Sequence, residues 1–157
     1  MEEQERQNET IMNTEDVLEM LDGLLEKWDA QWWDDFWKDE ERDVSFFVDL
    51  PDENLVQYIQ NNCIQPGRVL DIGCGNGRNS RYLAKLGFEV DAIDFSEASI
   101  TKAKEATQGD LNINYVHAAF REMKTEHGTY DFIYDSGCLH HVKPHRRAQY
   151  LKKVLIY

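Results

Sequence analysis

Residues 69–80 read VLDIGCGNGRNS, and this stretch predicts a turn between a buried β-strand and an α-helix. Three glycines, Gly73, Gly75 and Gly77, follow the apolar part of the strand at alternate positions. Glycine has no Cβ, so the backbone can turn sharply here and approach a ligand closely. The helix that follows presents unpaired N–H groups, which favour a ligand with polar or negative groups. The stretch therefore predicts a binding loop for a nucleotide-like molecule.

Two acidic residues flank this loop in the predicted sheet. Asp71 lies two residues before the first glycine, and Asp94 ends the second predicted strand. Asp71 could pair with the ammonium of an amino acid moiety, directly or through water, or it could be a helix cap or loop acceptor. Asp94 could accept hydrogen bonds from both hydroxyls of a ribose. S-adenosylmethionine carries a ribose and an ammonium and so fits both acids, whereas Asp71 would repel a pyrophosphate.

The hydrophobic pattern divides the chain into three parts. Residues 1–13 are rich in Glu, Gln and Asn and predict a disordered tail. Residues 14–65 predict a helical cap, with one helix capped by Thr14 and another after Pro51. Within residues 66–157, short strands near 68–72, 88–93, 113–118 and 130–134 alternate with helices. This alternation predicts an α/β fold with a parallel sheet and right-handed crossovers.

The region from residue 28 to residue 157 resembles the class I S-adenosylmethionine-dependent methyltransferases. Residues 71–77 (DIGCGNG) are similar to motif I of that family, and residues 92–96 (AIDFS) to its acidic end of the second strand. Residues 130–141 (YDFIYDSGCLHH) resemble its fourth-strand motif, and residues 77–80 (GRNS) resemble the tellurite- and thiopurine-resistance branch. The resemblance implies a Rossmann-like, doubly wound parallel sheet in which the first four of seven strands have the order 3-2-1-4, with added N-terminal helices.

The resemblance also implies a set of cofactor-binding residues. Gly73, Cys74 and Gly75 would approach the methionine part of S-adenosylmethionine, Asp94 would hold the ribose, and Phe95 would flank the adenine. Ala119 stands where the family often has an acid for the adenine amino group, so only the backbone of Ala119 and Phe120 could serve there. The complete predicted set is Asp71, Gly73, Cys74, Gly75, Gly77, Asn79, Asp94, Phe95, Ala119 and Phe120.

Candidates for contact with the methyl acceptor follow the fourth predicted strand. Methyl transfer from a sulfonium mainly requires alignment of the nucleophile and exclusion of water, so no catalytic triad is expected. Asp135, His140 and His141 lie at the strand end where ligands bind in such sheets. Either histidine could be a general base, or the two could simply cap the next helix. We expect no metal site, because nothing supplies a convincing further ligand to His140, His141 and His145.

An aromatic stretch in the N-terminal part has two interpretations. Trp28, Trp32, Trp33, Phe36 and Trp37 fall on one broad helical face. They could form a lid over the cofactor and substrate, or they could pack an added helix against the sheet. Aromatic stripes at helical spacing are more often core, so packing is the favoured interpretation.

The acidic charge and short length of the chain fit a small-molecule methyl acceptor with a nitrogen, oxygen or sulfur nucleophile. The net charge of −13 disfavours nucleic acid and anionic lipid, and the one basic run, residues 143–147, is interpreted as a solvated helix start. No stretch is long and apolar enough for a bilayer, and the acidic first residues do not resemble a signal peptide, so we expect a cytoplasmic protein. The three cysteines fit reduced thiols.

The last residues, Leu155, Ile156 and Tyr157, resemble the start of a fifth strand, so we expect a truncated chain. The fourth strand would then be an exposed edge, through which a homodimer could form. Two alternative functions follow. The chain could bind S-adenosylmethionine without catalysing transfer, or it could be a nicotinamide-dependent oxidoreductase. Its G-x-G-x-G spacing differs from the G-x-G-x-x-G of dinucleotide folds and argues against the latter.

Overall fold

Four parallel strands form the centre of the protein, in the order β3-β2-β1-β4. They are β1 (Arg68–Ile72), β2 (Glu89–Asp94), β3 (Ile113–His117) and β4 (Phe132–Asp135). The computed structural model describes residues 11–25, 29–39, 41, 42, 44, 47–124 and 129–157. The predicted fold class and strand order are confirmed. Most of the predicted tail, together with Trp28 and Phe46, lies outside the described residues.

Seven α-helices are described around this sheet. They are α1 (Thr14–Leu24), α2 (Ala30–Lys38), α3 (Glu53–Gln60), α4 (Arg78–Lys85), α5 (Glu97–Ala106), the single turn α6 (Cys138–His141) and α7 (Arg147–Val154). Two 3-10 turns, Phe120–Glu122 and Pro144–Arg146, lie between them. None of the described helices is long and apolar enough to span a membrane.

The register of the strands brings their carboxyl ends together. Ile72 of β1 lies opposite Ile93 of β2 and Asp135 of β4. Asp94, the next residue of β2, lies opposite His117 of β3. Because all four strands are parallel, the loops that follow them meet at this edge. The glycine loop and the predicted acids therefore lie side by side.

Both faces of the sheet are apolar, which parallel sheets require because helices cover both sides. On one face Val69, Val90 and Ala92 pack with Leu83 of α4 and Leu55 of α3. On the other face the buried residues are Leu70, Ile72, Ile93, Phe120 and Tyr157. Burying one such aliphatic side chain contributes about 1.5 to 3 kcal/mol. The sheet edge thus rests on a two-sided core.

Helix caps agree with the sequence in part. Ser96 caps α5, since its Oγ accepts from Ser99 N at 3.2 Å. The cap of α1 is Asn13 rather than Thr14, because Asn13 Oδ1 accepts from Glu15 N at 2.7 Å and forms a capping box with Asp16. The helix predicted after Pro51 is α3, and its N-cap is Asp52, which accepts from Asn54 N at 2.9 Å.

The basic run at 143–147 is not solvated, which corrects the sequence interpretation. Asp22 of α1 accepts from Arg146 Nη2 at 2.6 Å and lies 2.9 Å from His145 Nε2. Lys143 Nζ donates to the Asp22 backbone oxygen at 2.7 Å, and Arg146 also pairs with Glu15. The acids of α1 therefore neutralise these cations, and the pairs join α1 to the start of α7.

The chain beyond α7 forms a turn rather than a described strand. Leu155 and Ile156 continue from α7, and Tyr157 is buried against Phe120. The Tyr157 backbone oxygen accepts from Tyr130 N at 3.2 Å, beside the start of β4. Truncation stays a prediction.

Candidate functional site

The loop between β1 and α4 has a backbone that only glycine adopts without strain. Gly73, Gly75 and Gly77 have φ values of 68°, 55° and 76°. A Cβ at Gly77 would lie 2.5 Å from Tyr115 Oη, and one at Gly73 would lie 3.0 Å from Cys138 Cβ. Left-handed φ and close neighbours both exclude larger residues there. The glycines therefore create a stretch of backbone without side chains at the sheet edge.

Asp94 joins this loop to the end of β2. Its Oδ2 accepts from Gly75 N at 2.9 Å, and its Oδ1 accepts from Ser96 N at 2.9 Å. Burial raises the pKa of Asp94 against the effect of these two hydrogen bonds. Each carboxylate oxygen can accept more than one hydrogen bond. Asp94 thus fixes the loop and keeps acceptor capacity for a ligand hydroxyl.

Asp71 has a protein partner on α4. Ser80 Oγ donates to Asp71 Oδ2 at 2.6 Å, and Asp71 is only 2% exposed. Burial raises its pKa to about 7, and the nearby charges of Asp94 and Asp135 act in the same direction. This contact matches the loop-acceptor alternative. A direct or water-mediated bond to a ligand ammonium stays a prediction.

Polar side chains at the start of α4 hold the segment that precedes α3. Arg78 Nη1 donates to Leu50 O at 2.7 Å, and Asn79 Oδ1 accepts from Asp52 N at 2.8 Å. Asn79, predicted to bind the cofactor, is thus already engaged with the N-terminal part. Its cofactor role stays a prediction.

Sequence reasoning missed Arg81. This residue is 4% exposed, and its Nη1 donates to Asn76 O inside the glycine loop at 2.6 Å. Its Nη2 pairs with Asp49. The only signal was a run of polar residues, 78–81, on the first turn of a helix that must pack against the sheet.

The remaining cofactor candidates lie along the same edge. Cys74 is buried beside Gly75, and burial raises its thiol pKa well above the usual value, so it is not a nucleophile. The Phe95 backbone oxygen lies 3.1 Å from His117 Nε2. The ring of Phe120 packs against Tyr150 at 4.8 Å, and Ala119 and Phe120 follow the end of β3 in the chain.

Asp135 ends β4, and its partners are structural. Its carboxylate accepts from Cys138 N at 2.6 Å, from Leu139 N at 3.1 Å and from Tyr150 Oη at 2.5 Å. These bonds start α6 and fasten it to α7. Contact of Asp135 with a methyl acceptor stays a prediction, and the observed contacts favour a positioning role.

The two histidines of α6 lie together at this edge. The ring centroids of His140 and His141 are 3.9 Å apart, and the Trp33 ring meets His141 edge to face at 4.9 Å. Burial, followed by the neighbouring His140, lowers the pKa of His141. The lowered pKa favours the neutral form of the His141 imidazole. Among the described residues, no group of three or more His, Cys, Asp or Glu could hold a metal ion.

Helix α2 crosses the glycine loop. Trp37 is buried over Gly75, and a Cβ on that glycine would lie 2.7 Å from Trp37 Cζ2. Trp37 also packs against Phe47 at 5.1 Å and Phe36 at 5.7 Å. The described aromatic residues of α2 therefore pack against one another and against the loops at the sheet edge. A role as a lid over cofactor and substrate stays a prediction.

Comparison with known proteins gives a consistent result. A family model described as a methyltransferase domain matches residues 69–155. An uncharacterised methyltransferase of Schizosaccharomyces pombe is 40% identical over 86 residues, which are 52% of this chain and 59% of that protein. The chain thus spans little more than half the length of such relatives.

Solved structures share the fold. A structure named as an S-adenosylmethionine-dependent methyltransferase from Listeria monocytogenes is 28% identical, with a TM-score of 0.51 over 66% of this chain and 50% of that one. The 1,6-didemethyltoxoflavin-N1-methyltransferase of Burkholderia thailandensis, solved with S-adenosylhomocysteine, is 22% identical. Its TM-score is 0.56 over 94% of this chain and 60% of that one, so the likeness of fold includes the N-terminal helices.

Proposed function

Since the chain belongs to the methyltransferase domain family, we propose that it binds S-adenosylmethionine at the glycine loop and directs its methyl group to a small-molecule nucleophile. The observation that carries the proposal is the Asp94 carboxylate, which bonds Gly75 N at 2.9 Å and stands at the end of β2. A carboxylate at the end of this strand, beside a glycine loop, can accept hydrogen bonds from the hydroxyls of a ribose.

The residues present fit this cofactor. Gly73 and Gly75 carry no side chain and have left-handed φ values of 68° and 55°, a loop shape that suits close approach of a ligand to the backbone. Asp94 can accept from the ribose hydroxyls, and Phe95 follows it, as expected for the adenine. Cys74, Gly77 and the backbone of Ala119 and Phe120 complete the edge. Asp71 supplies negative charge for an ammonium, and its ionisation is favoured when a cation approaches.

The chemistry of the bound cofactor is an electrophilic methyl group on a sulfonium. The protein has to orient the acceptor and keep water out. Trp33 and Trp37 cover the edge with apolar surface, and His141 lies beside Trp33. The lowered pKa of His141 favours its neutral form, which is the form that a general base for the acceptor requires. Asp135 positions α6, which carries both histidines.

A small molecule suits the acceptor site. The net charge of −13 opposes nucleic acid and anionic membranes, and the basic run that could have bound them is paired with α1. Acceptors with a nitrogen, oxygen or sulfur nucleophile are compatible with a neutral imidazole. Cys63, Cys74 and Cys138 are free thiols, which supports a reducing compartment such as the cytoplasm.

A homodimer through β4 is a further part of the proposal. Among the described residues, β4 pairs with β1 on one side and only Tyr130 N is bonded on the other, to Tyr157 O at 3.2 Å. An unpaired edge can accept a second strand. Light scattering should then give twice the chain mass; a monomer at high concentration would contradict it.

Calorimetric titration with S-adenosylhomocysteine and, separately, with NAD tests the cofactor. We expect saturable binding of S-adenosylhomocysteine alone, and at least tenfold weaker binding by Asp94→Ala, because the ribose acceptor and the loop bond are both lost. Asp110→Ala, which removes an exposed acid, is the matched control and should bind as the parent does.

Three other outcomes would change the assignment. Preferential binding of NAD would replace the proposal with the oxidoreductase alternative. Binding of S-adenosylhomocysteine without transfer to any acceptor in a small-molecule screen would select the catalytically silent alternative. Equal binding by Asp94→Ala and the parent chain would show that the cofactor does not bind at the end of β2.

A further inference from the structure

Helix α2 rests on the part of the glycine loop that a ligand must approach. The six-membered edge of the Trp37 indole lies against Gly75, since a Cβ there would be 2.7 Å from Cζ2 and 2.9 Å from Cη2. Trp37 is only 6% exposed. The N–H of the same glycine donates to Asp94, the carboxylate assigned to the ribose, at 2.9 Å. The bare backbone that the glycines create is therefore covered by a side chain of the same protein.

A polar contact fastens α2 in this position. Asp34 Oδ1 accepts from Ser96 Oγ at 2.5 Å and from Ala98 N at 3.2 Å, at the first turn of α5. Burial would raise the pKa of Asp34, but these hydrogen bonds outweigh it and the pKa is lowered. A carboxylate is favoured there because it meets the positive end of the helix dipole. Asp34 thus holds α2 down on the same loop, 94–98, that carries Asp94 and Phe95.

A second contact of α2 is made with α6, beside the residues predicted to contact the methyl acceptor. The Trp33 ring meets His141 at 4.9 Å and at an interplanar angle of 83°. Helix α2 therefore touches the glycine loop, the turn after β2 and the turn after β4 together.

We propose that α2 is a gate, which closes the cofactor edge by placing Trp37 on Gly75 and which must lift before S-adenosylmethionine enters. The inference rests on the proposed function and adds how access of the cofactor to the site is controlled. A protein whose binding-competent state is only partly populated binds its ligand more weakly, in proportion to that fraction. The hydrogen bonds of Asp34 to Ser96 and Ala98, together with the Trp37 ring on Gly75, stabilise the closed state and so weaken cofactor binding by the free protein.

The gate predicts whether a substitution at Trp37 strengthens or weakens cofactor binding. If Trp37 blocks the loop, its removal tightens cofactor binding, because the closed state loses its contact. If Trp37 were instead a wall of the cofactor site, its removal would weaken binding. The two roles therefore give opposite changes in the dissociation constant of S-adenosylhomocysteine.

The test is stopped-flow and calorimetric binding of S-adenosylhomocysteine to the whole chain and three variants. We expect Trp37→Ala to lower the dissociation constant about tenfold and to raise the association rate, if about one tenth of the parent protein is open. Asp34→Asn keeps the aromatic packing and should shift both quantities in the same direction by about two- to threefold. Asp35→Asn changes the next acid, which accepts from Gln31 Nε2 within α2, and should change neither.

Thermal unfolding of each variant shows whether it is folded. Should Trp37→Ala unfold, Asp34→Asn alone decides the sign. Weaker or unchanged binding by a folded Trp37→Ala or Asp34→Asn variant, with normal binding by the parent, would overturn the gate and leave the proposed function intact. Absence of binding by the folded parent and by all variants would overturn the proposed function and the gate with it.

Discussion

Arg81 holds the glycine loop from beneath. Its guanidinium is buried and donates to the carbonyl of Asn76 at 2.6 Å, and a Cβ on Gly77 would lie 3.1 Å from its Nη1. The same guanidinium pairs with Asp49, ahead of α3. A charged donor to a buried carbonyl is stronger than a neutral one. One side chain therefore connects the shape of the loop to the N-terminal part.

We expect Arg81→Met to lower the free energy of unfolding by about 1.5 to 3 kcal/mol, because the Asn76 carbonyl loses a charged donor. Binding of S-adenosylhomocysteine should weaken as the loop loses its support, and Arg81→Lys should restore part of both. Chemical denaturation and calorimetry measure the two effects. Lys85→Met, an exposed cation on the same helix, is the control, and an equal effect there would refute a specific role for Arg81.

Helix α1 has no buried residue and is held by charge. Asp22 accepts from Arg146 and lies next to His145, while Glu15 pairs with Arg146 and accepts from Gln149 Nε2 at 3.0 Å. Burial would raise the pKa of Asp22, but hydrogen bonds from Arg146 and His145 outweigh it and lower the pKa from 3.8 to about 2. The helix is thus attached by an ion pair cluster whose strength depends on pH.

The sign of that dependence follows from linkage. Because the folded pKa lies below the unfolded one, ionised Asp22 stabilises the fold above about pH 4, and this contribution is lost as pH falls through about 2. We expect Asp22→Asn to lower the free energy of unfolding by about 1 to 2 kcal/mol at pH 7, with allowance for partial exposure. The difference from the parent should shrink between pH 4 and pH 2. Glu19→Gln, an exposed acid of the same helix, should show no such pH-dependent difference; if it does, the effect is one of net charge.

At the scale of the whole molecule, local sequence patterns were enough to predict the parallel sheet. The contacts between residues far apart in the chain could not be predicted from such patterns. The parallel sheet and the meeting of Asp94 with the glycine loop follow from alternating strands, a glycine-rich turn and the parallel rule. The strand order was implied by the resemblance to the methyltransferase family. Arg146 and Asp22 are 124 residues apart, and Ser96 and Asp34 are 62 apart. No periodicity connects such residues, so the positions of α1 and α2 could not be read from the chain.

The polar run 78–81 illustrates the same limit at the site. Asn79 was expected to contact the cofactor and no partner was predicted for Arg78 or Arg81, yet all three bind residues 49–52 or the loop itself. A side chain's partner depends on which segment crosses it, and that is set by tertiary packing. The acids at the strand ends were predictable because their place depends only on the sheet.

The central claim is that the glycine loop and the end of β2 form the cofactor site. Its most direct test is a titration of the isotopically labelled chain with S-adenosylhomocysteine, followed through backbone amide resonances. We predict that the largest shifts fall on Gly73, Gly75 and Gly77 and on residues 94–96, with smaller shifts on α2. Saturable binding whose shifts lie elsewhere, with these amides unchanged, would contradict the account.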